Sequence, residues 1–138
     1  MLLSHFKFSF KEDKLNFRFI GTLWRAKGVL QDILKLADSI FFAGANANKQ
    51  DLFGRSPLHV ASAVDYAEMV DFLLQNGADV AITTYGEEQS PLHYAAKNDA
   101  VNSLHTLLGH GADIDARDSK NRTPLQVYFY ILGGIYIG

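Results

Sequence analysis

One phrase recurs in this chain at nearly constant spacing, and this repetition limits the architecture more than any other feature. "SPLHVASAV" begins at Ser56 and "SPLHYAAKN" begins at Ser90, 34 residues later. A weaker third copy opens at Thr123, 33 residues after Ser90. The glycines of "FAGANAN", "QNGADVA" and "GHGADID" keep the same spacing, at Gly44, Gly77 and Gly111. Two sets of markers that share one period predict a repeat protein built from stacked units.

Each unit is predicted to contain two helices. Ser56 suits an N-cap because its hydroxyl accepts from an unpaired N–H of the first turn, and Pro57 needs no donor at the first helical position. After a short polar break, Val70, Leu73 and Leu74 have offsets that place them on one face of a second helix. A glycine then fits the left-handed position that ends a helix, and turn residues follow it.

Helix, helix and turn at a period of about 33, opened by a T-P-L-H-x-A phrase, resembles the ankyrin repeat. Residues 56–61 and 90–95 match with serine in place of threonine, whereas residues 123–126 keep the threonine and replace the histidine by Gln126. The match covers residues 44–127. It implies a mostly α-helical solenoid of helix-turn-helix units with hairpin-like turns. Two repeats are complete, residues 50–80 and 81–114, and a partial repeat flanks each side.

The serine and histidine of the phrase could suggest a nucleophile and its base. A catalytic triad also needs an orienting acid and an oxyanion hole, and nothing in the sequence supplies them. The ankyrin resemblance instead implies a structural role, with each histidine bonding backbone in the adjacent turn. The residues of the structural motif are Ser56, Pro57, His59, Ser90, Pro91, His93, Thr123 and Pro124. His105 and His110 are five apart and share no helical face, so we expect no metal site. We also expect no cofactor and, because no triad is present, no catalysis.

Composition excludes several classes of protein. The formal net charge is −2 and no basic stripe is present, so nucleic-acid binding is not expected. The chain has no cysteine, which excludes disulfide frameworks and thiolate chemistry. The start lacks the pattern of a signal peptide, and the longest apolar run, residues 127–138, is too short for a membrane-spanning helix. We expect an intracellular protein, cytoplasmic or nuclear, without membrane insertion.

Function is expected at surface positions, because the repeat itself is a scaffold. In ankyrin repeats, partners are usually held by the turn tips and by variable positions of the first helix, on the concave side. The resemblance therefore implies these partner-binding residues: Leu52, Phe53, Arg55, Ala63, Val64, Tyr85, Glu87, Lys97, Asn98, Ser119, Lys120 and Arg122. Aromatic residues and arginine dominate interface hot spots, which favours Phe53, Tyr85 and Arg55. The implied partner is another protein of unknown identity.

The ends of the chain are less regular than the array, which we assign to residues 22–126. Residues 1–21 alternate phenylalanine and polar residues, which fits either a β-hairpin or an extended leader. Residues 127–138 form an apolar tail without a charge. There Tyr128 and Phe129 replace small residues, and such large rings are expected to force the helix outward. Two explanations are open for the tail. It is either not ankyrin sequence, or its apolar surface is covered, by the N-terminal phenylalanines or by self-association with a second subunit.

Two other functions stay open at this point. The repeats could be a regulatory segment of a larger enzyme or channel, or a fragment from a truncated gene model. The first hypothesis, a non-catalytic protein-binding module, is the one that the repeat pattern favours.

Overall fold

The computed structural model describes residues 43–133 and contains two helical hairpins followed by a single helix. The helices are α1 (Pro57–Ala63), α2 (Ala67–Gln75), α3 (Pro91–Lys97), α4 (Val101–Gly109) and α5 (Pro124–Ile131). All regular elements of this part are helices, and the predicted ankyrin solenoid is confirmed. The predicted hairpin of residues 1–21, the start of the first repeat and residues 134–138 lie outside the described residues.

The recurring phrase folds as a capping box at the start of α1, α3 and α5. The hydroxyl of Ser56 accepts from the N–H of His59 at 3.3 Å, while Nδ1 of His59 accepts from the N–H of Ser56 at 3.1 Å. In α5 the same exchange uses Thr123 and Gln126, whose Oε1 accepts from the N–H of Thr123 at 2.8 Å. The phrase recurs because each helix start needs its orphan N–H groups satisfied locally.

An aspartate makes the turn between the two helices of each hairpin. Asp65 and Asp99 have φ angles of 58° and 54°, in the left-handed region that asparagine and aspartate tolerate better than most residues. The N–H of Tyr66 then donates to the carbonyl of Ala61 at 2.9 Å, which closes the turn. The two helices of a repeat thereby lie side by side.

The hydrophobic core lies between successive hairpins. Helix α3 packs against α1 and α5 in an inner row, while α4 packs against α2 in an outer row. Most of the core residues come from the two complete repeats: Leu58, Val60, Ala61, Tyr66, Met69, Val70, Leu73, Leu92, Ala95, Ala100 and Leu107. Each repeat covers the apolar face of its neighbour, so stability comes from the contacts between repeats.

Helix α5 continues across residues 126 and 127, where the sequence predicted the boundary between the array and the apolar tail. It packs against α3 as α3 packs against α1, and its Val127 is buried. The expectation that two large rings force this helix outward is therefore wrong. Tyr128 is half-buried and Phe129 is exposed, with their ring centroids 5.9 Å apart. The rings are accommodated because no outer helix packs on α5 within residues 43–133.

Candidate functional site

A tight turn precedes each inner helix, and we call these turns tip A (residues 51–55), tip B (84–89) and tip C (118–122). In tip A the carboxylate of Asp51 accepts from the N–H of Phe53 and the N–H of Arg55, both at 2.9 Å. Its second oxygen accepts from Nε of Arg55 at 2.7 Å. One aspartate thus organises the whole turn and holds an arginine side chain in a fixed position.

Tip C repeats this arrangement with Asp118 and Arg122. The buried carboxylate of Asp118 accepts from the N–H groups of Lys120 and Arg122 and from Nε of Arg122, all at 2.9 Å. Burial alone would raise the pKa of Asp118, but these hydrogen bonds and one from Gln89 outweigh it and lower the pKa to about 2. The carboxylate is therefore ionised at neutral pH and the turn is rigidly held.

Tip B is one residue longer, which explains why the period changes from 34 to 33. The first and last residues of tip B, Thr84 and Gln89, are five positions apart, whereas those of tip A, Asp51 and Arg55, are four apart. The N–H of Thr84 donates to the carbonyl of Gln89 at 3.0 Å, and the hydroxyl of Thr84 accepts from the N–H of Gln89 at 3.0 Å. Glu88 adopts a positive φ of 52° to close the longer turn.

The three tips are hydrogen-bonded to one another. The N–H of Tyr85 donates to the carbonyl of Phe53 at 3.0 Å, and the N–H of Ser119 donates to the carbonyl of Glu87 at 2.9 Å. Gly54 permits the first of these contacts, since a Cβ there would lie 2.3 Å from the nitrogen of Tyr85. Side chains on neighbouring tips are thus held in one continuous row.

The motif histidines bond each inner helix to the next tip. Nε2 of His59 lies 2.7 Å from the carbonyl oxygen of Gln89, and Nε2 of His93 lies 2.8 Å from that of Arg122. A carbonyl only accepts and Nδ1 already accepts from a backbone N–H, so the proton is on Nε2. Burial lowers the pKa of His59 to about 4 and lowers that of His93 as well, so both rings are neutral at pH 7.

The serine beside each of these histidines does not form a nucleophilic pair. The hydroxyl of Ser56 is 2.9 Å from Nδ1 of His59, a distance that would suit catalysis. Both residues are fully buried, however, and the far side of the ring faces a backbone carbonyl where a triad has a carboxylate. A substrate could not reach this hydroxyl, so the geometry provides no acyl-transfer chemistry.

The tips and inner helices present aromatic rings paired with cations. The guanidinium of Arg55 lies over the ring of Phe53 at 4.9 Å, and Nζ of Lys97 lies 3.9 Å from the centroid of Tyr94. The guanidinium of Arg122 lies 5.6 Å from the ring of a third aromatic residue, Tyr130. We call this surface the tip face: Leu52, Phe53, Arg55, Tyr85, Tyr94, Lys97, Arg122 and Tyr130.

Lys97 lies in the middle of the tip face. Burial lowers the pKa of Lys97, and the charges of Glu87, Arg122 and Arg55 also act on it. Its Nζ donates to Oε1 of Gln89 at 3.1 Å. A partly desolvated ammonium that keeps donor capacity gains more from a carboxylate than a fully hydrated lysine does. This position therefore favours an acidic group on whatever binds here.

A family model of three ankyrin repeats matches residues 27–118. The chain belongs to the ankyrin repeat family. It is similar to two ankyrin repeat proteins of fowlpox virus (strain NVSL): it is 41% identical over 49 residues to FPV230 and 39% identical over 56 residues to FPV244. These matches span 36% and 41% of this chain but only 26% and 8% of the relatives.

Ankyrin repeats are generally protein–protein interaction modules without catalytic activity. Within residues 43–133, no helix is long and apolar enough to cross a membrane. In the same part of the chain, His, Asp and Glu side chains form no group of three or more that could hold a metal ion.

The structure separates the sequence-predicted partner residues by exposure. Leu52, Phe53 and Tyr85 are 87%, 66% and 59% exposed. Glu87, Ser119 and Lys120 are also exposed at the tips, and Asn98 is exposed at the C-terminal end of α3. Ala63 and Val64 are half-buried at the end of α1, and Val64 packs partly against the core. Among the sequence-predicted partner residues, the exposed aromatic side chains therefore lie on tips A and B.

Sequence reasoning missed Tyr94 and Tyr130 on this face. Tyr94 replaces Val60 of the preceding repeat and lies three positions before Lys97, a spacing at which helical side chains meet. That substitution inside an otherwise matched phrase was a detectable signal. Tyr130 was assigned to the apolar tail, and its contact with Arg122 becomes visible only once α5 is placed.

Proposed function

We propose that this ankyrin array binds another protein through the tip face. The single observation that carries the proposal is the row of exposed aromatic side chains and ordered cations across adjacent tips, fixed by the hydrogen bonds between those tips. Aromatic residues and arginine with restricted side chains are typical hot spots because little conformational entropy is lost on binding. The proposal adds no catalytic activity and places the protein in the cytoplasm or nucleus.

The expected partner segment combines an apolar part with a carboxylate. Phe53 and Tyr85 offer large apolar area at the tips, whereas Lys97 offers a cation whose surroundings already exclude part of the water. The negative charge of Asp51 is paired with Arg55 and that of Asp118 with Arg122, so neither carboxylate is an uncompensated charge on this surface. An extended acidic segment with an aromatic or aliphatic residue fits this chemistry.

The proposal is tested by quantitative capture from a cell extract on immobilised protein. Proteins retained by the wild type should be lost from Phe53→Ala and Tyr85→Ala, each substitution weakening binding about fivefold, or about 1 kcal/mol. Glu68→Ala is the control, because Glu68 is exposed on the outer helix α2 and does not belong to the tip face. Retention of every captured protein by the double alanine variant would assign binding to another surface.

The alternative, a regulatory segment of a larger enzyme or channel, uses the same surface and stays a prediction. It expects the captured protein to be a catalytic or channel domain whose activity changes on binding. Adding the purified array to that domain and measuring the activity separates the two functions.

A further inference from the structure

Each repeat unit that the structure describes holds one cation of the tip face against an aromatic ring. The distance from the cation to the ring centroid lies between 3.9 and 5.6 Å, which is close enough for a cation–π attraction. The pairs are Arg55 with Phe53, Lys97 with Tyr94, and Arg122 with Tyr130. One pattern, a cation beside an aromatic ring, therefore occurs in each successive unit.

The middle unit supplies its cation from a different position than its two neighbours. Arg55 and Arg122 stand directly before the N-cap residues of α1 and α5, where each pairs with an aspartate of its own tip. In tip B the equivalent residue is Gln89, which has no charge. Lys97 reaches it from α3, and its Nζ donates to Oε1 of Gln89 at 3.1 Å. The lysine thus replaces the missing arginine and completes a cation row: Arg55, Lys97 and Arg122.

A partner that approaches the cation row meets the cations more readily than the aspartates that hold them. In tip A the side chain of Arg55 is 30% exposed and that of Asp51 is 10% exposed. In tip C the corresponding fractions are 21% for Arg122 and 0% for Asp118. Glu87 is the exception, because its exposed carboxylate lies 3.8 Å from Nη2 of Arg122. An exposed ion pair of this length is weak, so a carboxylate of a partner can take the place of Glu87.

The spacing of the cation row follows from the packing of the inner helices. Helix α3 packs between α1 and α5, and the axes of packed helices lie about 8–10 Å apart. Burial lowers the pKa of Lys97, and the charges of Arg122 and Arg55 lower it further, as expected when Lys97 lies between the two guanidinium groups. Successive cations of the row are therefore about 8–10 Å apart.

Among extended backbone conformations, polyproline II matches this spacing. It has three residues per turn and a rise of about 3.1 Å per residue, so every third side chain returns to the same face after about 9 Å. On one face of a β-strand the repeat is about 7 Å, which is too short. The rings beside the cations favour the same conformation, because proline-rich segments in this conformation bind surfaces lined with aromatic rings. A polyproline II segment with regularly spaced carboxylates therefore matches both the charges and the rings.

We propose that the tip face binds a polyproline II segment of another protein in which every third residue is acidic. Three successive carboxylates pair with Arg55, Lys97 and Arg122, and the prolines or other apolar residues between them lie against the neighbouring rings. This partner pattern rests on the proposed function, because it specifies the segment that the tip face binds. Removal of the competing carboxylate in Glu87→Gln should strengthen binding of such a segment about twofold.

The test compares two fluorescein-labelled synthetic peptides of identical composition by fluorescence anisotropy with the whole chain. The peptide E-P-P-E-P-P-E carries a glutamate at every third position, whereas E-E-E-P-P-P-P carries the same three glutamates in succession. The first peptide should bind about tenfold more tightly than the second, because only its carboxylates reach all three cations at once.

Three variants, each checked for folding by circular dichroism, assign this preference to the cation row. Lys97→Gln should reduce the preference for the spaced peptide to about twofold. Lys97→Arg, which keeps the charge, should retain the preference. Arg117→Gln is the matched control, because it removes one positive charge at an exposed position outside the tip face, and it should also retain the preference.

Equal affinities of the two peptides would overturn the proposal, as would absence of binding or a preference that Lys97→Gln leaves intact. Tighter binding of a helical peptide with glutamates seven positions apart, a spacing of about 10.5 Å, would assign the cation row to an α-helix instead. Failure of the proposed function is a separate result, because the proteins captured from a cell extract would then be retained by Phe53→Ala and Tyr85→Ala. If those variants lose the captured proteins while the two peptides bind equally, the tip face is the binding surface and the carboxylate pattern is wrong.

Discussion

Acidification should destabilise the protein through His59. Because burial lowers the pKa of His59 from 6.5 to about 4, a second proton is resisted in the folded state. That proton must add to Nδ1 and would displace the N–H of Ser56 at 3.1 Å. In the unfolded chain the imidazole titrates near 6.5 and binds the proton more strongly. The stability contribution is therefore fully present above pH 6.5 and is lost as the pH falls toward 4.

The magnitude follows from the width of this window. Between pH 7 and pH 4.5, protonation of His59 in the unfolded state should lower the free energy of unfolding by about 2.5 kcal/mol. His93, whose pKa burial also lowers, acts in the same direction. Asp118, with a pKa of about 2, keeps its contribution until the pH falls below about 4. A loss of this size is a large share of the stability of a small domain, which is about 5–15 kcal/mol.

The assay is urea unfolding at pH 7.0 and pH 4.5, followed by circular dichroism, on the wild type and His59→Gln. Gln126 occupies the equivalent position in α5, where its Oε1 accepts from the N–H of Thr123, so glutamine preserves the capping box without titrating. The variant is expected to lose about 2.5 kcal/mol less than the wild type between the two pH values. An equal loss in both proteins would refute the assignment of this pH dependence to His59.

Three further predictions concern stability and are measured by urea unfolding. His93→Ala should cost about 2–4 kcal/mol because it leaves buried hydrogen-bonding groups unpaired, whereas His105→Ala, at an exposed position, should change little. Similar losses would contradict the role of His93 in bonding α3 to tip C. Gly54→Ala should cost more than about 2 kcal/mol because of its φ of 81° and the close backbone of tip B, and clearly more than Gly86→Ala, whose added Cβ meets nothing within 4 Å. Ser62→Ala should stabilise by about 1 kcal/mol, since its buried hydroxyl finds no hydrogen-bond partner in the described structure and the next repeat carries alanine there. A loss of stability in this last variant would show that the hydroxyl is hydrogen-bonded.

Much of the fold was predictable from sequence because its determinants are local. Ser56, Pro57 and His59 specify a helix start within four residues, and the same phrase marks the other two inner helices. The inner and outer rows then follow from the repeat period. The marker spacings place the extra residue between Gly77 and Ser90, because only that segment lies in both 34-residue intervals. Its assignment to tip B required the hydrogen bonds between Thr84 and Gln89.

The candidate site was only partly predictable, because its shape depends on contacts between repeats. The exposure of Phe53 and Tyr85 follows from their positions in turns. The half-buried state of Val64 depends on packing against the core, which the repeat pattern alone does not reveal. His110 is exposed, and its Nε2 lies 2.8 Å from a carboxylate oxygen of Asp71, 39 residues earlier, a contact that the repeat pattern alone does not reveal.

The hydrogen bonds between the tips make amide exchange a measure of repeat separation. The N–H of Tyr85 and that of Ser119 belong to exposed residues, yet each donates to a carbonyl of the neighbouring repeat. These two amides exchange with solvent deuterium only when the corresponding boundary opens. Their rates therefore report separately on the two boundaries, and their ratio shows whether the array opens from one end or as a single unit.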